Sequence, residues 1–348
     1  MNQLKLGEPM SKCQSLNDKN IFVTGADGFI GSHLVERLVR LGGSVKALCY
    51  YNSQGSLGWL EDVDADVLNN LEIVFGDIRD SALVQQQLVG ADYVFHLASL
   101  ISIPHSYVAS QSYLDSNLGG LLNILEALKK QSFSRMINTS TSEVYGSAMT
   151  RPILETHPLQ AQSPYSASKI AADHFVQAFY KSFELPLCIL RPFNTYGPRQ
   201  SMRAVIPTVI AQLLDADRQN LELGDLTPLR DFNYIDDTVD AFIQLMFCEN
   251  VAYGEPYNAG SGHSISIADT VALIEKVVGI KKPIIVDDNK KRPKNSEVIE
   301  LIADYTKLNK ASGWEPKVGM DKGLGYTVEW FKNHDNQKDS WSRRVKFD

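Results

Sequence analysis

Tyr165 and Lys169 are the two residues whose types and spacing point most directly to chemistry. They lie four residues apart in the segment YSASK, and residues at this spacing share one face of a helix. A lysine ammonium beside a phenol favours the phenolate and lowers the pKa of the tyrosine. A phenolate can take the proton of an alcohol while hydride leaves the same carbon for an acceptor. The pair therefore predicts alcohol oxidation, whereas the alternative is a surface helix that happens to carry a lysine.

Hydroxyl and acidic residues are concentrated upstream of this pair, in the segment NTSTSEVYG at positions 138–146. The segment begins at the end of a predicted strand, and ligands of open α/β sheets bind at the carboxyl ends of the strands. Glu143 is the acid of the segment. A carboxylate placed there can act as a general acid or base, which contributes roughly 10²–10⁴-fold to a rate. A solvated loop acid is the alternative interpretation.

Three glycines, Gly25, Gly28 and Gly31, recur at every third position in the segment TGADGFIG. The segment follows a predicted strand and opens a predicted helix. A tight turn, a close approach of backbone to a pyrophosphate and close packing of helix on strand each require a glycine. The free N–H groups at the helix N-terminus favour an anion. The loop therefore predicts a dinucleotide site, and the alternative is a glycine-rich turn without a ligand.

The elements that position these residues alternate along the first two-thirds of the chain. Apolar runs predict strands at residues 20–24, 45–49, 71–75, 93–96, 135–139 and 187–190, and helical periodicity predicts helices at 29–41, 81–88, 118–130 and 165–183. Such alternation is typical of an α/β protein with a Rossmann-like, doubly wound parallel sheet. After Arg191 the pattern becomes irregular, which indicates a smaller C-terminal substrate-binding lobe. Ser266 is expected to cap a further helix.

Domain boundaries follow from the same pattern. We expect an N-terminal extension at 1–18, a dinucleotide-binding domain at 19–191 with about 232–260, a substrate lobe at 192–231 and 261–332, and a charged tail at 333–348.

Composition narrows the class of protein. The 348 residues carry a formal net charge of −7, so the overall field does not attract nucleic acid or an anionic membrane. The four cysteines include no C-x-x-C pair, and no cluster of His, Cys and acidic residues suggests a metal. His33, His105 and His174 occur singly, which favours packing or solvent exposure. With no signal pattern and no apolar run of about 18 residues, we expect a cytoplasmic protein.

The glycine spacing G-x-x-G-x-x-G resembles the short-chain dehydrogenase/reductase family, and TGxxGFIG resembles its extended branch. Other segments match in the same order: GDIRD at 76–80, HLAS at 96–99, Asn117 with Gly119, and the Tyr165/Lys169 pair. The resemblance implies an NAD(P)-dependent enzyme in which Thr141 binds the reacting oxygen. It implies that the cofactor is held by Gly25, Asp27, Gly28, Phe29, Ile30, Gly31, Tyr50, Asn52, Asp77, Ile78, Leu97, Ala98, Ser99, Tyr165 and Lys169.

The end of the second strand departs from the family pattern. Many members carry an acid there that binds the adenosine ribose and favours NAD, whereas an arginine favours NADP. Here Cys49 holds that position and is followed by Tyr50, Tyr51 and Asn52. Because this segment contains no arginine or lysine, NAD is the favoured cofactor, and NADP remains an alternative.

Glu143 also indicates which reaction the protein catalyses, because two groups of enzymes in the family that it resembles carry different residues at this position. The 4-epimerases carry a small or uncharged residue there, whereas the 4,6-dehydratases carry a glutamate that removes the C5 proton. Ser142 stands where many dehydratases have an aspartate that protonates the C6 oxygen, and the form STSEVYG also occurs in UDP-glucuronate decarboxylases. The resemblance thus implies the catalytic set Thr141, Ser142, Glu143, Tyr165 and Lys169.

Longer segments resemble the nucleotide-activated N-acetylglucosamine 4,6-dehydratases of legionaminic-acid-type pathways. They lie at 50–60, 157–165, 191–200 and 230–234. We therefore expect an NDP-sugar 4,6-dehydratase. The alternatives are an NDP-sugar 4-epimerase, a UDP-glucuronate decarboxylase, and a non-catalytic NAD(P)-sensing protein, against which the complete Thr141, Tyr165 and Lys169 set argues.

A nucleotide-sugar substrate carries two phosphates, and arginine matches phosphate geometry. The resemblance assigns substrate binding to Asn194, Arg203, Arg230 and Arg292, while surface charge is the alternative for each arginine. The helices predicted at 118–130 and 165–183 carry more apolar surface than one sheet face needs, and such helices pair in extended relatives. We therefore expect a homodimer.

Overall fold

The computed structural model describes residues 15–334. The predicted extension at 1–18 and the tail at 333–348 lie mostly outside this range, as does Cys13. Leu16, inside the range, is buried in the core and donates its amide to the Leu41 carbonyl at 2.9 Å. Within the described range, no helix is both long enough and apolar enough to cross a membrane.

The main sheet is parallel and has seven strands in the order β10-β6-β5-β4-β1-β2-β3, while β11-β9-β7 and β12-β8 form two small sheets. The strands are β1 (Asn20–Thr24), β2 (Ser44–Tyr50), β3 (Leu71–Gly76), β4 (Tyr93–His96), β5 (Arg135–Thr139), β6 (Leu187–Pro192), β7 (Asn194–Tyr196), β8 (Leu221–Leu223), β9 (Leu229–Tyr234), β10 (Pro256–Ala259), β11 (Ser264–Ser266) and β12 (Ile284–Val286). The predicted α/β class with a Rossmann-like parallel sheet is confirmed.

Helices cover both faces of the main sheet. They are α1 (Phe29–Arg40), α2 (Ala65–Leu68), α3 (Ser81–Gln87), α4 (Ile103–Val108), α5 (Ser110–Tyr113), α6 (Gly120–Leu128), α7 (Pro164–Phe183), α8 (Val205–Leu214), α9 (Ile235–Phe247), α10 (Ile267–Val278), α11 (Thr306–Ser312) and α12 (Met320–Asn333). Successive strand side chains point to opposite faces. Accordingly, Ile21 and Val23 join the core under α1 and α9, whereas Phe22 joins the core under α3, α6 and α7.

The helix predicted at 118–130 differs most from the structure. Helix α6 begins at Gly120, and the turn before it, Leu114–Gly119, is π-helical. The side chain of Asn117 occupies this turn: it accepts from the Leu100 amide at 2.8 Å and donates to the Leu100 carbonyl and to Ser168 Oγ, both at 3.0 Å. Single π-helical turns inside α-helices are frequent at functional sites. This one ties the loop after β4 to helix α7.

The C-terminal lobe contains the two small sheets together with α8, α10 and α12. Ser266 caps α10, as predicted, because its Oγ accepts from the Asp269 amide at 3.0 Å. Strand β10 and helix α9 come from the same part of the chain but belong to the main sheet and its covering layer. Residues that follow β1, β4, β5 and β6 line one cleft together with residues of the lobe.

Candidate active site

A cavity of about 1800 Å³ follows the carboxyl ends of the strands from the glycine loop to the lobe. Most of the residues singled out from the sequence line it: Gly25, Asp27, Gly28, Phe29, Ile30, Gly31, Tyr50, Asp77, Ile78, Leu97, Ala98, Ser99, Thr141, Glu143, Tyr165, Lys169, Asn194, Arg203, Arg230 and Arg292. The ends of β1 to β5, helix α7 and two segments of the lobe thus contribute to one cavity. Asn52 and Ser142, both among the described residues, do not line the cavity.

The glycine loop has the shape that a pyrophosphate requires. Gly25 has φ +67°, and a Cβ there would lie 2.8 Å from the Ala98 amide nitrogen. A Cβ at Gly31 would lie 2.0 Å from the Gly25 carbonyl oxygen, so α1 packs against the turn only with glycine there. Gly28 is the N-cap of α1 and no side chain caps the helix. The first turn therefore presents N–H groups and a partial positive charge to the cavity, which fits a dinucleotide diphosphate.

The loop after β4 is fixed by a threonine of β1. Thr24 Oγ1 accepts from the amides of Leu97 and Ala98 at 3.2 and 3.1 Å and contacts His96 Nδ1 at 2.9 Å. Burial lowers the pKa of His96 to about 3, so the imidazole is neutral at pH 7. This arrangement holds Leu97, Ala98 and Ser99 along the cavity wall beside the glycine loop.

Asn52, which was predicted to bind the cofactor, does not line the cavity in this structure. Its Nδ2 donates to the carbonyls of Tyr50 and Ser56 at 3.3 and 2.8 Å, and its Oδ1 accepts from the Ser56 amide at 2.9 Å. The amide side chain thus closes its own loop. Tyr50, in contrast, lines the cavity and is 58% exposed.

Thr141, Tyr165 and Lys169 meet at the carboxyl end of β5. Tyr165 is only 6% exposed, and burial raises its pKa while a hydrogen bond with Thr141 lowers it. The Nζ of Lys169 donates to the Thr139 carbonyl at 2.8 Å, and burial lowers its pKa to about 8. Burial is thus the larger influence on the pKa of Tyr165 in this structure, and the hydrogen bond with Thr141 opposes it.

A short 3-10 helix, Ser142–Tyr145, determines which side chains of the STSEVYG segment reach the cavity. Thr141 caps it, since its Oγ1 accepts from the Glu143 amide at 3.2 Å. Glu143 lines the cavity, whereas Ser142, which is 2% exposed, does not. The assignment of Ser142 as a catalytic residue stays a prediction.

Glu143 belongs to a chain of alternating charges that crosses the cavity to the lobe. Its Oε1 lies 3.5 Å from Nη1 of Arg292, which lies 3.8 Å from Oε1 of Glu297. Nη2 of Arg230 donates to the same Glu297 oxygen at 2.7 Å, and its Nη1 donates to the Val298 carbonyl at 2.8 Å. The arginines predicted to bind substrate therefore lie beside the predicted base.

Three side chains of the cavity lining have buried oxygens without a hydrogen-bond partner in the structure: Thr139 Oγ1, Asn194 Oδ1 and Gln200 Oε1. Unpaired buried polar atoms are costly, so all three are suited to bind a polar ligand. Arg203 lines the cavity. Burial raises the pKa of the Tyr113 phenol, and the charge of Arg203 opposes this rise. Thr139 was missed from the sequence, although it stands at the end of β5.

A buried polar network below the site was also missed. Asp173 is completely buried, accepts from Ser140 Oγ at 2.9 Å, and forms an ion pair with Arg191 at 2.9 Å. Arg191 also donates to the hydroxyl of Tyr145 at 2.9 Å. One signal was available: Asp173 follows Lys169 by four residues, on the same face of α7. The network joins α7, β6 and the segment that carries Glu143.

The arrangement defines a class of enzyme. A glycine loop suited to a diphosphate and a Thr–Tyr–Lys set in the same cavity can oxidise an alcohol with a dinucleotide. The part of the cavity that extends into the lobe is lined by arginines and by the unpaired oxygen of Asn194. These groups suit a second, negatively charged ligand. A carboxylate lies between the two regions.

Comparisons with known proteins define the family. A family model described as GDP-mannose 4,6 dehydratase matches residues 22–327. A probable dTDP-glucose 4,6-dehydratase of Sinorhizobium fredii is 31% identical, over 89% of this chain and 92% of that protein. The chain therefore belongs to the extended short-chain dehydrogenase/reductase family of nucleotide-sugar dehydratases and epimerases.

Solved structures of both kinds of enzyme resemble the protein closely. The dTDP-glucose 4,6-dehydratase DesIV of Streptomyces venezuelae, solved with NAD, has a TM-score of 0.81 and 28% identity, over 93% of this chain and 99% of that one. The UDP-glucuronic acid 4-epimerase of Bacillus cereus, solved with UDP-glucuronic acid and NAD, has a TM-score of 0.82 and 28% identity, over 90% and 99%. Overall similarity therefore does not separate the two reactions.

Proposed function

We propose that the protein is an NAD-dependent NDP-sugar 4,6-dehydratase that acts on a nucleotide-activated N-acetylglucosamine and forms the 4-keto-6-deoxy sugar. The observation that carries the proposal is the position of Glu143. Its carboxylate lines the same cavity as Thr141, Tyr165 and Lys169, whereas epimerisation at C4 needs only the last three. NAD is favoured because both resembling structures were solved with it.

The first half of the reaction is the oxidation of C4. Tyr165 takes the proton of the C4 hydroxyl, and Thr141 holds the oxygen and shares that proton. When bound, NAD supplies a hydride acceptor at C4 and later a hydride donor at C6. The Lys169 ammonium, anchored on the Thr139 carbonyl at 2.8 Å, supplies positive charge below the reacting oxygen. The product of this half is a 4-keto sugar whose C5 proton is acidic.

The second half is the loss of water across C5 and C6. Glu143 removes the C5 proton, and the C6 hydroxyl leaves as water when it receives a proton. Ser142 is a poor donor of that proton, because an alkyl hydroxyl is a weak acid at neutral pH. We propose that Glu143 passes the captured proton to the C6 oxygen. Hydride then adds to C6, solvent returns a proton to C5, and Tyr165 releases the proton that it took from the C4 hydroxyl, which leaves the cofactor unchanged overall.

The nucleotide diphosphate is proposed to bind along the lobe. Arg230 and Arg292 are suited to phosphate oxygens, and Asn194 offers an unpaired buried oxygen to a sugar or phosphate-side hydroxyl. Arg203 lines the same stretch of the cavity. Because Glu297 now holds both Arg230 and Arg292, the incoming phosphates must compete with this carboxylate.

A 4-epimerase is the second candidate, and the serine at position 142 favours it. Without an acid at that position the site lacks one group that many dehydratases use, while Thr141, Tyr165 and Lys169 are complete. The UDP-glucuronic acid 4-epimerase fold is also matched as closely as the dehydratase fold.

One experiment separates the candidates. The protein is incubated with UDP- and GDP-N-acetylglucosamine and with UDP-glucuronate, and the products are analysed by mass spectrometry. The proposal predicts loss of water from an N-acetylglucosamine nucleotide. An unchanged mass with a new C4 configuration would establish the epimerase instead, and loss of carbon dioxide from the uronate would establish a decarboxylase.

We also propose the domain division and the association of the protein. Residues 19–191 with about 232–260 form the NAD-binding domain, and 192–231 with 261–332 form the nucleotide-sugar lobe. The positions of α9 and β10 in the main sheet and its covering layer support this division.

A homodimer through α6 and α7 is supported by exposed aromatic rings on α7, where Phe175 and Phe183 are 37% and 48% exposed.

A further inference from the structure

The end of strand β2 is where dinucleotide-binding folds distinguish the two nicotinamide cofactors. An acid there accepts a hydrogen bond from the ribose 2′-hydroxyl and repels the 2′-phosphate of NADP. In this protein β2 ends in Cys49 and Tyr50, and the strand supplies no carboxylate. Burial raises the pKa of the Cys49 thiol to about 12, so it carries no charge. The end of strand β2 therefore has no charged group of its own that would discriminate between NAD and NADP.

A carboxylate nevertheless reaches this position from the glycine loop. Oδ2 of Asp27 accepts from the Tyr50 backbone amide at 3.2 Å, and Asp27 lines the cavity. The same carboxylate is near enough to Cys49 to raise the pKa of its thiol further. Asp27 thus lies at the end of β2 although it belongs to the loop after β1.

The loop at 57–60 holds Asp27 in this position from the other side. The Trp59 amide donates to the Asp27 carbonyl at 3.0 Å. Gly58 has φ +57°, and a Cβ there would lie 2.6 Å from that carbonyl oxygen and 3.1 Å from Asp27 Cβ. The backbone around Asp27 is therefore fixed by its own loop, and its side chain by β2.

The charges nearby leave the site negative. The nearest cation in the family's adenine-side segment is Arg79, whose Nε donates to both carboxylate oxygens of Asp77 at 2.9 and 3.0 Å. Asp77 lines the cavity, whereas Arg79 is not part of its lining. Burial raises the pKa of Asp27, and the hydrogen bond from the Tyr50 amide opposes this rise. Arg79 supplies one positive charge beside the two carboxylates of Asp27 and Asp77, so the net charge of these three residues does not favour binding of a 2′-phosphate.

We propose that Asp27 is the specificity-determining residue that selects NAD over NADP, by accepting a hydrogen bond from the adenosine 2′-hydroxyl and repelling a 2′-phosphate. In this proposal Asp27, from the glycine loop, takes the role that an acid at the end of β2 has in other dinucleotide-binding folds. It rests on the proposed use of a nicotinamide dinucleotide, but it does not depend on which sugar reaction the protein catalyses.

The test is a competition between the two cofactors that measures binding alone. The full-length protein is equilibrated with an equimolar excess of NAD and NADP and then desalted. Bound dinucleotides are released by denaturation and quantified by chromatography. Asp27→Asn keeps the size of the side chain and removes its charge. Asp66→Asn is the matched control, because Asp66 is exposed and does not line the cavity.

The wild-type protein and the Asp66→Asn control should retain NAD in at least about tenfold excess over NADP. In Asp27→Asn this ratio should fall by about tenfold, chiefly because NADP binding improves, and the wild-type ratio should fall as salt screens the repulsion. Equal or greater retention of NADP by the wild-type protein, or an unchanged ratio in Asp27→Asn, would overturn the assignment. The sugar product is measured separately by mass, so failure of the dehydratase proposal would leave this ratio untouched.

Discussion

Replacing Asp173 by asparagine tests the buried network below the active site. The substitution removes one charge from the ion pair with Arg191, in which the two side chains are 0% and 2% exposed. It leaves the buried guanidinium of Arg191 without a charged partner, while the Tyr145 hydroxyl still accepts a hydrogen bond from it. Removing one partner of a buried ion pair costs about 3–5 kcal/mol. Because asparagine can still accept from Ser140, we expect a loss of about 3 kcal/mol in the free energy of unfolding.

The same substitution should change the pH dependence of activity. Burial lowers the pKa of Lys169 to about 8, and the charge of Asp173 raises it against that trend. Without this charge the pKa of Lys169 falls further, so the ammonium is lost at a lower pH. If Lys169 acts as an ammonium, kcat/KM should fall above about pH 8 in the wild-type protein. In Asp173→Asn the fall should begin at lower pH.

Two further variants complete this measurement. Glu126→Gln makes the same chemical change in a surface pair with Lys129 at 3.1 Å, and exposed pairs contribute about 0–1 kcal/mol. Asp173→Asn combined with Arg191→Met removes the unpaired guanidinium and should recover part of the stability. The reasoning is refuted if Asp173→Asn unfolds within about 0.5 kcal/mol of wild type, the range of ordinary surface substitutions, and keeps the same pH profile.

Two other predictions concern the cofactor loop and the association of the protein. Gly28→Val adds a branched side chain where even a Cβ lies 3.2 Å from the Gly25 carbonyl oxygen, so the purified variant should retain no dinucleotide while its circular dichroism stays that of wild type; normal cofactor content would contradict the loop assignment. Phe183→Glu places a charge on the exposed end of α7 and should convert a homodimer into a monomer in light scattering at micromolar concentration. A wild-type monomer would contradict the dimer.

Local spacing was sufficient to predict the main features of the site. The glycines at 25, 28 and 31 and the pair Tyr165 and Lys169 each act within one turn of chain, so their geometry follows from the sequence around them. Alternating apolar runs predicted the parallel sheet, because buried strands and amphipathic helices have different periods.

Side-chain direction and long-range pairing could not be predicted in this way. Ser142 and Glu143 are neighbours, and only the 3-10 turn capped by Thr141 decides that the second faces the cavity. The Glu143–Arg292 contact joins residues 149 positions apart. Such contacts depend on how the lobe packs on the sheet.

The role of Asp27 at the end of β2 was hidden for the same reason. Its partner, the Tyr50 amide, belongs to the next strand, and a backbone amide leaves no mark in the sequence. The acid missing from β2 was evident, but its replacement became visible only once the two loops were placed together.

The most direct test of the dehydratase proposal is the behaviour of Glu143→Gln with an N-acetylglucosamine nucleotide in deuterated water. The variant keeps the shape of the side chain and loses the base, so turnover should fall by roughly 10²–10⁴-fold. It should still oxidise C4, seen as transient reduced-nicotinamide absorbance, but release no water and take up no deuterium at C5. Tyr165→Phe should give no absorbance change at all. Turnover of Glu143→Gln at nearly the wild-type rate would contradict the dehydratase mechanism and support a 4-epimerase that uses Thr141, Tyr165 and Lys169.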